Sequence, residues 1–134
     1  MRFFIPAVIV LFSCCSAPAD KPGHDTTTQS VRYPSCDCDT INFTDWKNIK
    51  HGRWIEWKDT ARHIILKQEC LHDGVEDGFY MEYQGDPGNH LKVSGNYKSG
   101  KRVGEWKYYA DGSDDIIKVE TWTNDTLVST HLSE

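Results

Sequence analysis

The stretch GRWIEW at residues 52–57 recurs as GFYMEY at residues 78–83 and as GEWKYY at residues 104–109. Each copy begins with glycine and has aromatic residues at its third and sixth positions, and the glycines are spaced 26 residues apart both times. A fixed period of this length is typical of proteins built from repeated supersecondary units. The chain from residue 41 to residue 132 is therefore predicted to form a repeat domain.

Each repeat is predicted to form a β-hairpin. The first strand runs from the glycine through both aromatic residues, and the second covers residues 62–70, 90–98 or 116–123, which are rich in β-branched and aromatic residues. Turns are marked by Asp73-Gly74, Ser99-Gly100 and Asp111-Gly112, because glycine tolerates a positive φ. With a seventh strand at residues 127–131, the predicted fold is all-β, an antiparallel meander of about three 26-residue hairpin repeats.

The aromatic residues of the repeat are predicted to form two rows on opposite faces of the sheet. Two aromatics three residues apart point to opposite sides, because side chains alternate along a strand. The rows are Trp54, Tyr80 and Trp106 on one face, and Trp57, Tyr83 and Tyr109 on the other. Equivalent strands lie about 10 Å apart, so branched residues such as Ile65, Val93 and Ile117 are expected to fill the gaps. These six aromatics are the candidate binding surface; packing of the sheet is the alternative role.

The repeat resembles that of MORN-repeat-variant proteins, the group called YwqK-like antitoxins. The closest stretch is GNYKSGKRVGEWKYYADG at residues 95–112, and the resemblance covers residues 52–125. The first unit departs from it, with Leu71 in place of an aromatic residue and Glu69 in place of a glycine. The resemblance implies an extended antiparallel sheet with a scaffolding or protein-binding role and no catalytic residues.

The N-terminus has the pattern of a secretory signal peptide. Met1 and Arg2 are followed by an apolar stretch, FFIPAVIVLF, and then by small residues. Leu11-Phe12-Ser13-Cys14 resembles a bacterial lipobox, which implies cleavage after residue 13 and lipidation of Cys14. The alternative is an ordinary cleavage site near residue 17 or 19 and a secreted protein.

Residues 14–40 are predicted to be a flexible tether between a lipidated Cys14 and the repeat domain. The segment is rich in proline, threonine and charged residues and has few large apolar side chains. Such a composition buries too little surface to offset the conformational entropy lost on ordering. The predicted organisation is a signal peptide at 1–13, a lipidated tether at 14–40 and the β-repeat domain at 41–132.

The amino-acid composition excludes some classes of function for this protein. The 134 residues include 15 basic and 20 acidic side chains, which gives a net charge of −5. Without a basic tract, a nucleic-acid partner is not expected. No stretch has the order of residues expected of a nucleophilic triad, so we predict that the protein is not an enzyme and needs no cofactor.

A candidate disulfide site is formed by Cys36, Cys38 and Cys70. In an oxidising compartment either Cys36 or Cys38 could bridge to Cys70 and fasten the tether to the sheet. Unpaired thiols are the second possibility. A metal site using these cysteines and His72 is not predicted, because the Cys-x-Cys spacing differs from that of zinc sites and no second pair exists.

The sequence therefore favours a non-catalytic lipoprotein of the bacterial cell envelope. The membrane would be reached through the lipid at Cys14, and the MORN-like domain would bind a protein or a glycan. The alternatives are an antitoxin or immunity protein that neutralises a toxin, and a thiol- or metal-binding envelope protein.

Overall fold

The computed structural model describes residues 35–37 and 40–133. The predicted signal peptide, Cys14, Cys38 and most of the predicted tether lie outside the described residues. The strands, in chain order, are β1 (Phe43–Thr44), β2 (Lys50–Trp57), β3 (Ile65–His72), β4 (Val75–Tyr83), β5 (Leu91–Lys98), β6 (Lys101–Tyr109), β7 (Ile116–Thr123) and β8 (Thr126–Leu132). Within the described part of the chain, no helix is long and apolar enough to span a membrane.

All eight strands belong to one sheet in the order β1-β2-β3-β4-β5-β6-β7-β8, and every neighbouring pair is antiparallel. This confirms the predicted all-β meander. Strand β1 was not predicted, because two residues carry no periodic signal. Strand β3 begins at Ile65 rather than at residue 62, because the carboxylate of Asp59 accepts the backbone N–H groups of His63 (3.0 Å) and Ile64 (2.8 Å) and holds them in a loop.

The tight turns at one end of the sheet all use two residues with positive φ. They are Asp73 and Gly74 (φ 51° and 79°), Ser99 and Gly100 (50° and 77°), and Asn124 and Asp125 (46° and 64°). This is the backbone of a type I′ turn, whose twist matches that of the strands. Asp111-Gly112 also forms a turn, closed by the backbone bond from Ser113 N to Ala110 O at 3.3 Å, but this turn lies within the longer loop that joins β6 to β7.

The glycine that opens each repeat is required by a backbone irregularity. Gly52, Gly78 and Gly104 have φ of 74°, 127° and 68°, values that favour glycine. At Gly78 and Gly104 the register with the preceding strand shifts, which marks a β-bulge. The carbonyl two residues before each glycine then accepts a turn N–H, as in Gly100 N to Glu76 O at 2.8 Å. The repeat is therefore a repeated hydrogen-bonded unit.

The loops at the other end lie within the hairpins and form hydrogen bonds to the neighbouring repeat. Asn89 Oδ1 accepts the backbone N–H of Ile65 at 2.7 Å, and Asp114 Oδ1 accepts that of Leu91 at 3.1 Å. Gln84 Nε2 donates to Ala110 O at 2.7 Å. Each unit thus satisfies backbone groups of its neighbour, as expected of a repeat array whose units are not stable alone.

The free edge of β2 is covered by residues that precede β1 and by β1 itself. The side-chain amide of Asn42 accepts the N–H of Ile55 (2.6 Å) and donates to its carbonyl (2.9 Å), and Asn42 N donates to Arg53 O (2.9 Å). A side chain here replaces the missing neighbouring strand along part of the edge. This edge is consequently closed to a further strand.

Asn42→Gly is expected to reduce the free energy of unfolding by about 1–3 kcal/mol, because it leaves both backbone groups of the buried Ile55 unpaired. Glycine keeps the positive φ of 55° that position 42 requires. Urea denaturation measures the change. Asn48→Gly is the matched control, since Asn48 also has a positive φ (62°) but its side chain makes no hydrogen bond within the described residues. Equal losses in both variants would contradict the role of Asn42.

The buried part of the molecule is small. The buried apolar residues among those described are Ile55, Cys70, Leu71 and Trp106. Gln68 and Glu69 are also buried, and each has a polar partner: Gln68 accepts from Arg53 Nη2 at 2.7 Å, and Glu69 pairs with Lys67 at 2.9 Å. Stability therefore depends on cross-strand contacts on the two faces of one sheet.

Candidate binding surfaces

Trp54, Tyr80 and Trp106 share one side of the sheet, which we call the aromatic face. Trp54 pairs with Glu69, Glu69 with Tyr80, and Tyr80 with Gly95 on the next strand. The rings of Tyr80 and Trp106 are 5.5 Å apart, closer than the predicted spacing of alternate strands. The expectation that branched side chains separate them is wrong, because the intervening residue is Gly95, which leaves room for direct ring contact.

Trp106 is the centre of the aromatic face. Its side chain lies directly over Gly95, where an added Cβ would overlap the indole ring. Tyr97 packs edge-on against it at 5.0 Å, and the Arg102 guanidinium stacks 4.5 Å from its centre and 5.0 Å from the centre of Trp122. Trp106 is 1 % exposed. Trp106 therefore packs the sheet, which is the alternative role that the sequence left open for it.

Glu120 is the centre of a group of paired polar side chains on the aromatic face. Glu120 accepts hydrogen bonds from the Tyr108 hydroxyl (2.6 Å) and Trp122 Nε1 (3.2 Å) and pairs with Lys118 (2.9 Å). The Tyr108 bond, followed by that of Lys118, holds the pKa of Glu120 below its usual value. Burial and the Glu120 carboxylate raise the pKa of Tyr108 to about 12. The polar groups around Glu120 thus satisfy one another, and their contacts contribute to stability.

Stability is expected to fall in acid as Glu120 is protonated. A lowered carboxylate pKa contributes stability that is complete above the unfolded-state value, 4.5 for glutamate, and is lost as pH falls through the folded-state value. Urea midpoints between about pH 6 and about pH 3 should decline less in Glu120→Gln than in the wild type. Glu105→Gln, at an exposed position, is the control. An unchanged decline in Glu120→Gln would contradict this assignment.

Tyr83 and Tyr109 lie on the opposite side, which we call the groove face. The Tyr83 hydroxyl accepts from Gln68 Nε2 at 2.8 Å and donates to Met81 Sδ at 3.6 Å. The Tyr109 hydroxyl and Ser94 Oγ are 2.9 Å apart. Trp57, the third member of the row, is half-buried like the two tyrosines. Each of the three side chains therefore exposes only part of its ring system at the surface.

An open groove of about 470 Å³ crosses strands β4, β5 and β6 on the groove face. Met81 and Ser94, the partners of Tyr83 and Tyr109, belong to its lining. Tyr80 and Gly95 contribute backbone, because the Tyr80 ring lies on the other side. The side chains that line it are Phe79, Met81, Ser94, Asn96, Glu105 and Lys107.

Three polar side chains of the groove are free. Asn96, Glu105 and Lys107 make no side-chain hydrogen bond or ion pair within the described residues. Sequence reasoning missed all three, since it followed the aromatic residues. The signal that was available is strand alternation: the residue after the repeat glycine, Glu105 or Phe79, points away from the buried aromatic that follows it.

Cys36 is joined to Cys70 of β3 by a disulfide, with the Cα atoms 5.6 Å apart. This is one of the two pairings that the sequence left open. A Cβ at Gly78 would lie 2.9 Å from Cys70 Sγ, so Gly78 serves both its bulge and the bridge. Among residues 35–37 and 40–133, no three His, Cys, Asp or Glu side chains lie close enough together to hold a metal ion.

Comparison with protein-family models, with curated proteins and with solved structures finds no match to this chain. The resemblance of the repeat to MORN variants therefore remains an interpretation of its residues. The function is therefore inferred from the two faces of the sheet and from the disulfide.

Proposed function

We propose that this protein is a non-catalytic binding module of the bacterial cell envelope, anchored by lipid at Cys14, whose groove face binds a protein or glycan partner. The observation that carries the proposal is the contrast between the two faces. On the aromatic face Glu120 and Lys118 are neutralised by neighbouring side chains, whereas Asn96, Glu105 and Lys107 in the groove have no partner among the described residues.

The lining of the groove suits recognition rather than chemistry. Phe79 and Met81 supply half-buried apolar surface, and an amide, a carboxylate and an ammonium group lie beside it. Sites that bind ligands combine apolar walls with a few polar groups that fix orientation. Glu105 and Lys107 offer no nucleophile with an activating base, which supports binding without catalysis.

The disulfide supports the proposed location. Structural disulfides persist in the periplasm and outside the cell and are rare in the cytosol. Cys36 lies near the end of the predicted tether, so the bridge to Cys70 would define where the anchor leaves the domain. The N-terminal signal and the lipobox-like residues 11–14 support the same location.

The anchor is tested by the intact mass of the chain expressed in bacteria and extracted from their membranes. We expect a chain that begins at Cys14 and carries the added mass of its acyl groups. Cys14→Ala is the control and should remain full length or be cut elsewhere without lipid. A wild-type chain that still begins at Met1 would overturn the proposed location.

The binding face is tested by placing a photo-crosslinking amino acid at position 96 in cells. We expect crosslinks to one discrete envelope component, reduced when Lys107→Ala is added. The same probe at Lys101, an exposed position at the start of β6 and outside the groove lining, is the matched control. Equal labelling from both positions, or none from position 96, would contradict a binding role for the groove.

A further inference from the structure

The two edges of the sheet differ in what covers them. The edge of β2 is closed by Asn42 and β1, as described above. At the other edge, β8 pairs with β7 and has no second neighbour among the described residues. One edge of this sheet therefore ends in a two-residue strand, which offers almost no ladder to a partner, whereas the other ends in the seven-residue strand β8.

The open edge presents backbone groups in register for another strand. Ser133 N donates to Ile117 O at 3.0 Å, and Leu132 is opposite Lys118. Because hydrogen-bonded and non-hydrogen-bonded pairs alternate in an antiparallel ladder, the N–H and C=O of Leu132 and Thr130 point away from β7. These groups form the start of a second ladder.

The side chains of β8 do nothing to prevent pairing. Natural edge strands are protected by charged side chains, especially lysine, by proline or by β-bulges. Residues 126–132 read TLVSTHL, with neither lysine nor proline; His131 is the only ionisable side chain, and the one register shift, at Val128, leaves residues 129–132 regularly paired. Val128 is 62 % exposed and Leu132 is 74 % exposed. An exposed edge that is apolar and uncharged favours association.

We propose that β8 pairs antiparallel with β8 of a second copy of this chain, with the two-fold axis at Thr130. In this register the two Thr130 residues exchange backbone hydrogen bonds, and Val128 of each copy lies opposite Leu132 of the other. Two eight-stranded sheets then form one continuous sheet.

A second copy fits this edge better than an unrelated strand for two reasons. Antiparallel self-pairing of TLVSTHL places apolar beside apolar residues and Thr130 beside Thr130, and it brings no like charges together. Since the β2 edge is closed, association stops at two copies instead of continuing as a fibre. The groove lies on β4 to β6 and stays accessible in the dimer. The contact is small, so dimerisation in the micromolar range is expected.

The register is tested by oxidative crosslinking of the whole chain. Thr130→Cys places two thiols directly opposite each other across the axis, within disulfide reach. We expect a reducible covalent dimer from this variant. Ser129→Cys is the matched control, since residue 129 would lie opposite residue 131 and should crosslink at least tenfold less. Equal crosslinking of the two variants would overturn the proposed register.

The edge itself is tested by sedimentation velocity on the disulfide-intact chain in mild detergent. We expect the wild type to shift from monomer to dimer between about 1 and about 100 µM. Val128→Lys/Leu132→Lys should stay monomeric, with circular dichroism and thermal unfolding to verify its fold. A wild type that is monomeric throughout, or a lysine variant that is folded and still dimeric, would overturn the proposal.

Discussion

Gly95→Ala is expected to lower the free energy of unfolding by about 3 kcal/mol, although it adds a single methyl group. The methyl group would overlap the indole ring of Trp106, which is held by Tyr97 on one side and by Arg102 on another. Because Trp106 is 1 % exposed, it has no solvent-filled space to move into. Urea denaturation of the variant and the wild type gives the difference.

Gly104→Ala is the matched control for this prediction. Gly104 has a φ of 68°, and a Cβ there would meet nothing within 4 Å, so its substitution reports backbone strain without a clash. A loss of about 1–2 kcal/mol is expected. In a Trp106→Ala background, Gly95→Ala should become almost neutral, because the clash has been removed. An equal loss in both backgrounds would contradict the packing of Trp106 on Gly95.

Loss of the Cys36–Cys70 disulfide is expected to lower Tm by about 10–20 °C. The bridge spans 34 residues, and closing a loop of this length restricts the unfolded chain by up to about 4 kcal/mol. It also fastens the segment before β1 to β3, and this segment closes the β2 edge. Thermal unfolding of Cys36→Ser/Cys38→Ser, compared with the wild type, measures the effect.

Cys38→Ser alone controls for the loss of a thiol. Removing both N-terminal cysteines in the test variant prevents Cys38 from replacing Cys36 as the partner of Cys70. The single Cys38→Ser variant should keep the wild-type Tm and lose it on reduction, as the wild type does. A Cys36→Ser/Cys38→Ser variant that unfolds at the wild-type Tm would show that the bridge does not stabilise the fold.

The sequence predicted the local architecture well, because its causes are local. The spacing of the three repeat glycines reflects a positive φ at each, and Asp73-Gly74 and Ser99-Gly100 form the turns that their residue types favour. Strand alternation placed Tyr80 and Tyr83 on opposite faces, which their contacts with Trp106 and Gln68 bear out.

The candidate site was predicted only in part. The aromatic rows were identified, but Trp106 is buried and the groove is lined by Asn96, Glu105 and Lys107, which no motif indicated. Whether a polar side chain is free depends on which residues lie opposite it on neighbouring strands. That information depends on register across the whole sheet.

The sequence by itself determined the repeat, its turns and the alternation of its faces, since each depends on residues close together in the chain. Only the tertiary structure decided that Gly95 holds Trp106, that Cys36 rather than another cysteine meets Cys70, and that Asn42 closes one edge while β8 stays open. The physical reason is that each of these features joins residues far apart in the chain; for Gly95 and Trp106 the β-bulge between β5 and β6 shifts the register. Such a shift changes which distant residues become neighbours, and no local pattern records it.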